Sequence, residues 1–67
     1  MKVIKIVAKS AAPTIAPDNT WRVWCMFLRG SEYVYGAIHC NTLDEAIKIE
    51  VNQHIDTTQH KVVFQNK

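Results

Sequence analysis

Sixty-seven residues allow one domain, residues 1–67, with one thin core, because short chains bury a small share of their surface. That leaves no room for a multi-step enzyme. A hydrophobic content of 48% with 21% charged residues excludes a disordered chain, and eight Lys plus Arg against six Asp plus Glu leave only +2, below the basic footprint of a dedicated nucleic-acid binder and opposite in sign to an acidic DNA mimic.

Residues 2–8 alternate, with Ile4, Ile6 and Ala8 on one side and Val3, Lys5 and Val7 on the other, which predicts a first strand with one better buried face. Its lysines discourage edge pairing. Lys5 also interrupts the apolar run that a secretory signal requires, and no apolar run approaches the roughly 18–20 residues that span a bilayer, so the expected location is the cytoplasm. Residues 10–19 contain Pro13 and Pro17 and cannot continue a strand. They predict a long surface loop that folds over part of the sheet, with Ile15 as its apolar anchor.

Residues 20–40 read as one β-hairpin. Two aromatic-rich apolar runs, 21–28 and 33–38, flank Arg29, Gly30, Ser31 and Glu32, which suits a two-residue turn with Gly30 first. Counting back from that turn puts Trp21, Val23, Cys25, Phe27, Val34, Ile38 and Cys40 on one face, the expected core. The other face carries Leu28 with Tyr33, Met26 with Tyr35, Trp24 with Ala37, and Arg22 with His39. A sheet with one wet face alternates apolar with polar, and this second face does not. Arg22, Trp24, Met26, Leu28, Tyr33 and Tyr35, with Arg29 and Glu32 at the hairpin tip, are therefore the expected partner-binding residues. The same register separates Cys25 from Cys40 by four rows, about 13 Å at about 3.3 Å per row. A disulfide tolerates roughly 7 Å between Cα atoms, so two free thiols and a reducing compartment are predicted.

Thr42 followed by Glu45 is a capping-box pattern that predicts a helix starting at Thr42, with Asp44 favourable in its first turn. Leu43, Ala46, Ile47, Val51 and Ile55 form its apolar stripe, Ile49 lies off the stripe, and Glu50 and His54 fall one turn apart. Residues 56–59 make a turn, and residues 60–65 a last strand with Val62 and Phe64 inward and Lys61, Val63 and Gln65 outward. Asn66 and Lys67 are expected to fray. The sum is an α+β domain: a mainly antiparallel sheet of about four strands in the order β-β-β-α-β, with one helix packed on one face.

Little here carries a reaction. Cys25, His39, Cys40, His54 and His60 contain no close ligand pair, and Cys25 is expected in the core, so no metal, cofactor or catalytic residue is assigned. Trp24, Tyr33 and Tyr35 beside Arg22, Arg29 and His39 resemble in outline a platform for stacking single-stranded bases. Met26 and Leu28 in the same patch and the small net charge favour a protein partner, since interface cores are rich in Trp, Tyr, Met and Arg. A homodimer through this face, or the loop at residues 10–19 as its cover, are the alternatives.

From Trp24 onward, the strand, hairpin and strand followed by Thr42, Leu43, Asp44, Glu45 and Ala46 resemble the small bacteriophage-encoded inhibitors of host RNA polymerase over about two-thirds of the chain. Trp24, Ile38 and the string from Thr42 to Ala46 align without a gap. The resemblance implies a non-enzymatic protein of the host bacterial cytoplasm that binds the jaw of the polymerase β′ subunit through hairpin and last-strand residues and blocks promoter opening. At two last-strand positions where that family carries arginines, this chain has Val63 and Gln65. The strand-plus-helix style is also similar to antitoxin domains and to small anti-CRISPR proteins, which likewise act by occupying a partner's surface.

Overall fold

The computed structural model describes residues 3–65 and runs β1 (Val3–Lys9), β2 (Thr14–Ile15), β3 (Trp21–Arg29), β4 (Glu32–Cys40), α1 (Leu43–Ile47), β5 (His54–Asp56) and β6 (Lys61–Phe64). All pairings are antiparallel, in the order β5-β1-β3-β4-β6, and β2 extends the sheet beside the far end of β3. This is a sheet-rich domain with one short helix, more strongly β than the four-stranded α+β arrangement expected. Lys2, Asn66 and Lys67, the subjects of expectations at the two termini, lie outside the described residues.

The central hairpin follows the predicted register from Arg29↔Glu32 to Trp21↔Cys40. Gly30 has φ +63° and Ser31 does not share the left-handed region, which is the backbone of a two-residue turn with glycine first. Everything on the helix side then falls into the core: Val23, Cys25, Phe27, Ile38 and Cys40 are buried, with Trp21 and Val34 packed against them. Ile4, Ile6 and Ile55 enlarge this layer from the neighbouring strands, and Ala46 and Ile49 close it from above.

The helix departs most from expectation. Its start holds: the Glu45 N–H donates to the Thr42 hydroxyl at 3.2 Å, although the Glu45 carboxylate meets that hydroxyl at 3.3 Å and not the cap amide. Its length does not, because five residues are helical and Asn52 turns left-handed at φ 73°. Two causes act together. Ile47, Ile49 and Val51 are β-branched and lose χ1 freedom in a helix. In addition, the edge of β1 offers backbone partners: Asn52 N–H donates to the Ile6 carbonyl, Ile6 N–H donates to the Gln53 carbonyl, and β5 pairs Ile55 with Ile4. Of the predicted stripe, Ala46 and Ile55 are buried, whereas Leu43, Ile47 and Val51 are exposed. Ile49, expected outside, is 6% exposed and belongs to the core. Glu50 and His54 are consequently not a helical pair: the Glu50 N–H takes Gln53 Oε1, and His54 sits opposite Lys5 in the sheet.

Residues 10–19 also do more than connect. They add β2 to the sheet, and their buried anchor is Ala16, while Ile15 is 59% exposed. Asp18 holds the turn by accepting from both the N–H and the hydroxyl of Thr20. In β1 the register slips between Ile6 and Ala8, a bulge at Val7 that moves Ala8 onto the face of Met26 and away from Ile6. Among the described residues no helix is long and apolar enough to cross a membrane.

Candidate functional site: the open face of the sheet

Paired residues of an antiparallel ladder share a face, so the side away from the helix can be read row by row. At the hairpin end stand Lys5, Leu28 and Tyr33, with His54 beyond Lys5 on β5. The next row holds Ala8, Met26 and Tyr35, and the Gln65 N–H donates to the Tyr35 carbonyl to bring in the end of the chain. Trp24, Ala37 and Val63 follow. Arg22, His39 and Lys61 complete the face, with Thr14 beside Arg22.

The centre of this face is apolar and uncovered. Met26, Tyr33, Tyr35 and Val63 are each more than two-fifths exposed, and Trp24 stacks with Tyr35 at a centroid distance of 5.9 Å and an interplanar angle of 19°. Ala37 is buried under these larger neighbours although it points away from the core. The ends are cationic, with Arg22 and Lys61 at one and Lys5 at the other. Asp44 and Glu45 lie in the first turn of the helix, Asp18 and Glu45 share a hollow with His39 and Lys61 beyond the Arg22 end of the face, and Asp56, at the β5 corner, accepts from the N–H and hydroxyl of Thr58. His39 is held below the usual histidine range, by burial first and then by the charges of Arg22 and Lys61.

Six of the eight residues singled out from sequence share this face: Arg22, Trp24, Met26, Leu28, Tyr33 and Tyr35. Arg29 and Glu32 do not. They form the last pair of the hairpin on its opposite side, 3.6 Å apart, with the Arg29 guanidinium 5.0 Å from the centre of the Phe64 ring. Sequence reasoning did not include Lys5, Ala8, Lys61, Val63 and Gln65 in the site. The outward parity of Lys61, Val63 and Gln65 was legible from alternation, but their placement beside Trp24 required knowing that β6 pairs with β4.

Both cysteines are free and buried, and among the described residues no group of three or more His, Cys, Asp and Glu side chains is arranged to hold a metal ion. Burial pushes the Cys25 thiol up to about 11, and burial followed by the Glu45 charge raises Cys40. A thiol that ionises near 9 in the unfolded chain and later in the fold favours folding below that value; stability should therefore decline as pH rises from about 9 toward 11. Urea titrations across that window test this, and Cys25→Ala should flatten the decline. Native Cys25 should likewise resist disulfide-exchange reagents until denaturant is added.

The geometry defines a small antiparallel domain that buries one face of its sheet under a short helical segment and leaves the other apolar, aromatic and cation-rimmed. No family model matches the chain, and comparison with curated proteins and with solved structures gives no significant match.

Proposed function

We propose that the protein is a non-enzymatic inhibitor of the phage type that works by pressing the open sheet face against a bacterial protein machine, with host RNA polymerase as the target. The observation that carries docking is the exposed patch of Met26, Tyr33, Tyr35 and Val63 around the half-buried Trp24 and Leu28: the chain's helix packs on the opposite side, and residues 10–19 extend the sheet in its own plane. Large aromatic side chains beside Met and Arg are the composition of interface cores. The choice of polymerase rests on the resemblance over Trp24, Ile38 and residues 42–46. The substitution of Val63 and Gln65 for the family's arginines shifts the expected contact toward apolar packing beside Trp24.

Purified protein should bind purified bacterial RNA polymerase and lower promoter opening in vitro. Trp24→Ala or Tyr35→Ala should each weaken binding by more than about 1 kcal/mol, roughly fivefold, as expected of a central aromatic anchor. Absence of polymerase binding would discard the target. Tight binding of single-stranded DNA whose affinity falls steeply with salt would instead assign the face to nucleic acid.

A further inference from the structure

Between Arg22, Trp24, Ala37, His39, Val63 and Gln65 the open face sinks into a cleft of about 270 Å³. Its floor is Ala37, its apolar walls are Trp24 and Val63, and its cationic end is Arg22, with Lys61 opposite His39 in the ladder. Arg22 forms no ion pair with any described residue, and its Nε is buried without a hydrogen-bond partner. The guanidinium can therefore turn toward an incoming group without giving up a hydrogen bond. Asp18, whose charge acts on Arg22 and His39 from beside this corner, accepts its hydrogen bonds from Thr20 and forms no ion pair with Arg22.

We infer that this cleft is the specificity pocket of the docking face and takes a partner protein segment in which a carboxylate side chain stands beside an apolar one. The inference rests on the docking function proposed above. The carboxylate accepts two N–H bonds from the Arg22 fork, the geometry for which arginine is better suited than lysine, and the apolar neighbour fills the space between Trp24 and Val63.

Charge selects this occupant over the alternatives. In a two-fold dimer through the open face, cationic ends meet cationic ends whichever way the axis runs, so a second copy is disfavoured. A single nucleic-acid strand needs positive charge along its backbone track, whereas here the cations stand at the two ends and the intervening rows hold Trp24, Ala37, Val63, Ala8, Met26, Tyr35 and the neutral Gln65. A partner with an apolar centre and acidic rim complements both features.

The minimal probe is 3-phenylpropanoate, a carboxylate joined to an aromatic ring, titrated into the full chain by NMR alongside its neutral amide. The acid should bind at least about tenfold more tightly than the amide, with the largest shifts at the Arg22 side-chain N–H, the Trp24 indole N–H and His39. Arg22→Gln should abolish that preference while leaving the amide spectrum of the folded chain in place. Equal binding of acid and amide, shifts centred elsewhere, or a preference that survives in Arg22→Gln would overturn the assignment. Competition by oligothymidylate with steep salt dependence would overturn the choice of a protein partner. If Trp24→Ala releases polymerase but Arg22→Gln does not, the pocket fails and docking stands; if the probe binds as described and polymerase does not, the reverse holds.

Discussion

Replacing Phe27 with alanine is expected to destabilise the domain by about 3–5 kcal/mol, the range for removing a fully buried aromatic ring and leaving a cavity. Phe27 is 0% exposed and sits where the sheet converges: it pairs with Ile6 on one side and Val34 on the other, and meets Phe64 edge-on at 5.9 Å. Strands β1, β3, β4 and β6 thus share one ring. At about 0.05–0.15 kcal/mol per residue, a domain of this length has roughly 3–10 kcal/mol in total, so the variant should lose at least about a third of its stability and, at the lower end, all of it. Urea denaturation followed by tryptophan fluorescence measures the effect. Phe27→Leu should cost much less, about 1 kcal/mol, because most of the volume is kept.

The same experiment examines the division of the hairpin into faces. Trp24 is larger than Phe27 but lies half-buried on the open side, so Trp24→Ala should cost clearly less stability than Phe27→Ala while weakening docking. A one-residue slip in register would exchange these outcomes, because it moves every side chain to the opposite face. Loss of stability in Trp24→Ala with little in Phe27→Ala would therefore contradict the hairpin register itself.

That register was legible from sequence for local reasons: Gly30 fixes the turn, and alternation does the rest over the nine residues of each strand. The helix start was legible too, because Thr42 and Glu45 act within one turn. Its end was not. Periodicity supports a stripe through Ile55, but the edge of β1, more than forty residues earlier, offers the backbone of 52–56 hydrogen bonds that the helical alternative would leave unmade on that strand. The Val7 bulge and the placement of β2 were hidden for the same reason, since both are set by what β3 presents across the ladder. The candidate site divides along this line. Its hairpin residues could be read directly, while the contributions of Lys5, Ala8, Lys61, Val63 and Gln65 depend on strand order.

Gly36 supplies the second large effect, and its reason is space and not backbone freedom, since its φ is not positive. A Cβ built there would lie 2.5 Å from the Val63 carbonyl oxygen and 3.0 Å from the Phe64 Cα. Both are backbone atoms and cannot rotate away, so Gly36→Ala must push β6 outward. Alanine suits a strand better than glycine by a fraction of a kcal/mol, but the steric cost of about 1–3 kcal/mol outweighs it. The displacement acts on a four-residue edge strand whose Phe64 packs against Phe27 and lies under Arg29. Hydrogen exchange should accelerate at Lys61, Val63 and Gln65, the alternate amides of this edge that face β4, more than at the β3 amides, because β3 keeps partners on both sides. On the open face the shift carries Val63 and Gln65 away from Trp24, so the same variant should loosen binding of 3-phenylpropanoate although position 36 does not itself line the cleft. Unchanged stability together with unchanged protection along β6 would mean that this strand does not approach Gly36 so closely, and the cleft would lose one of its walls.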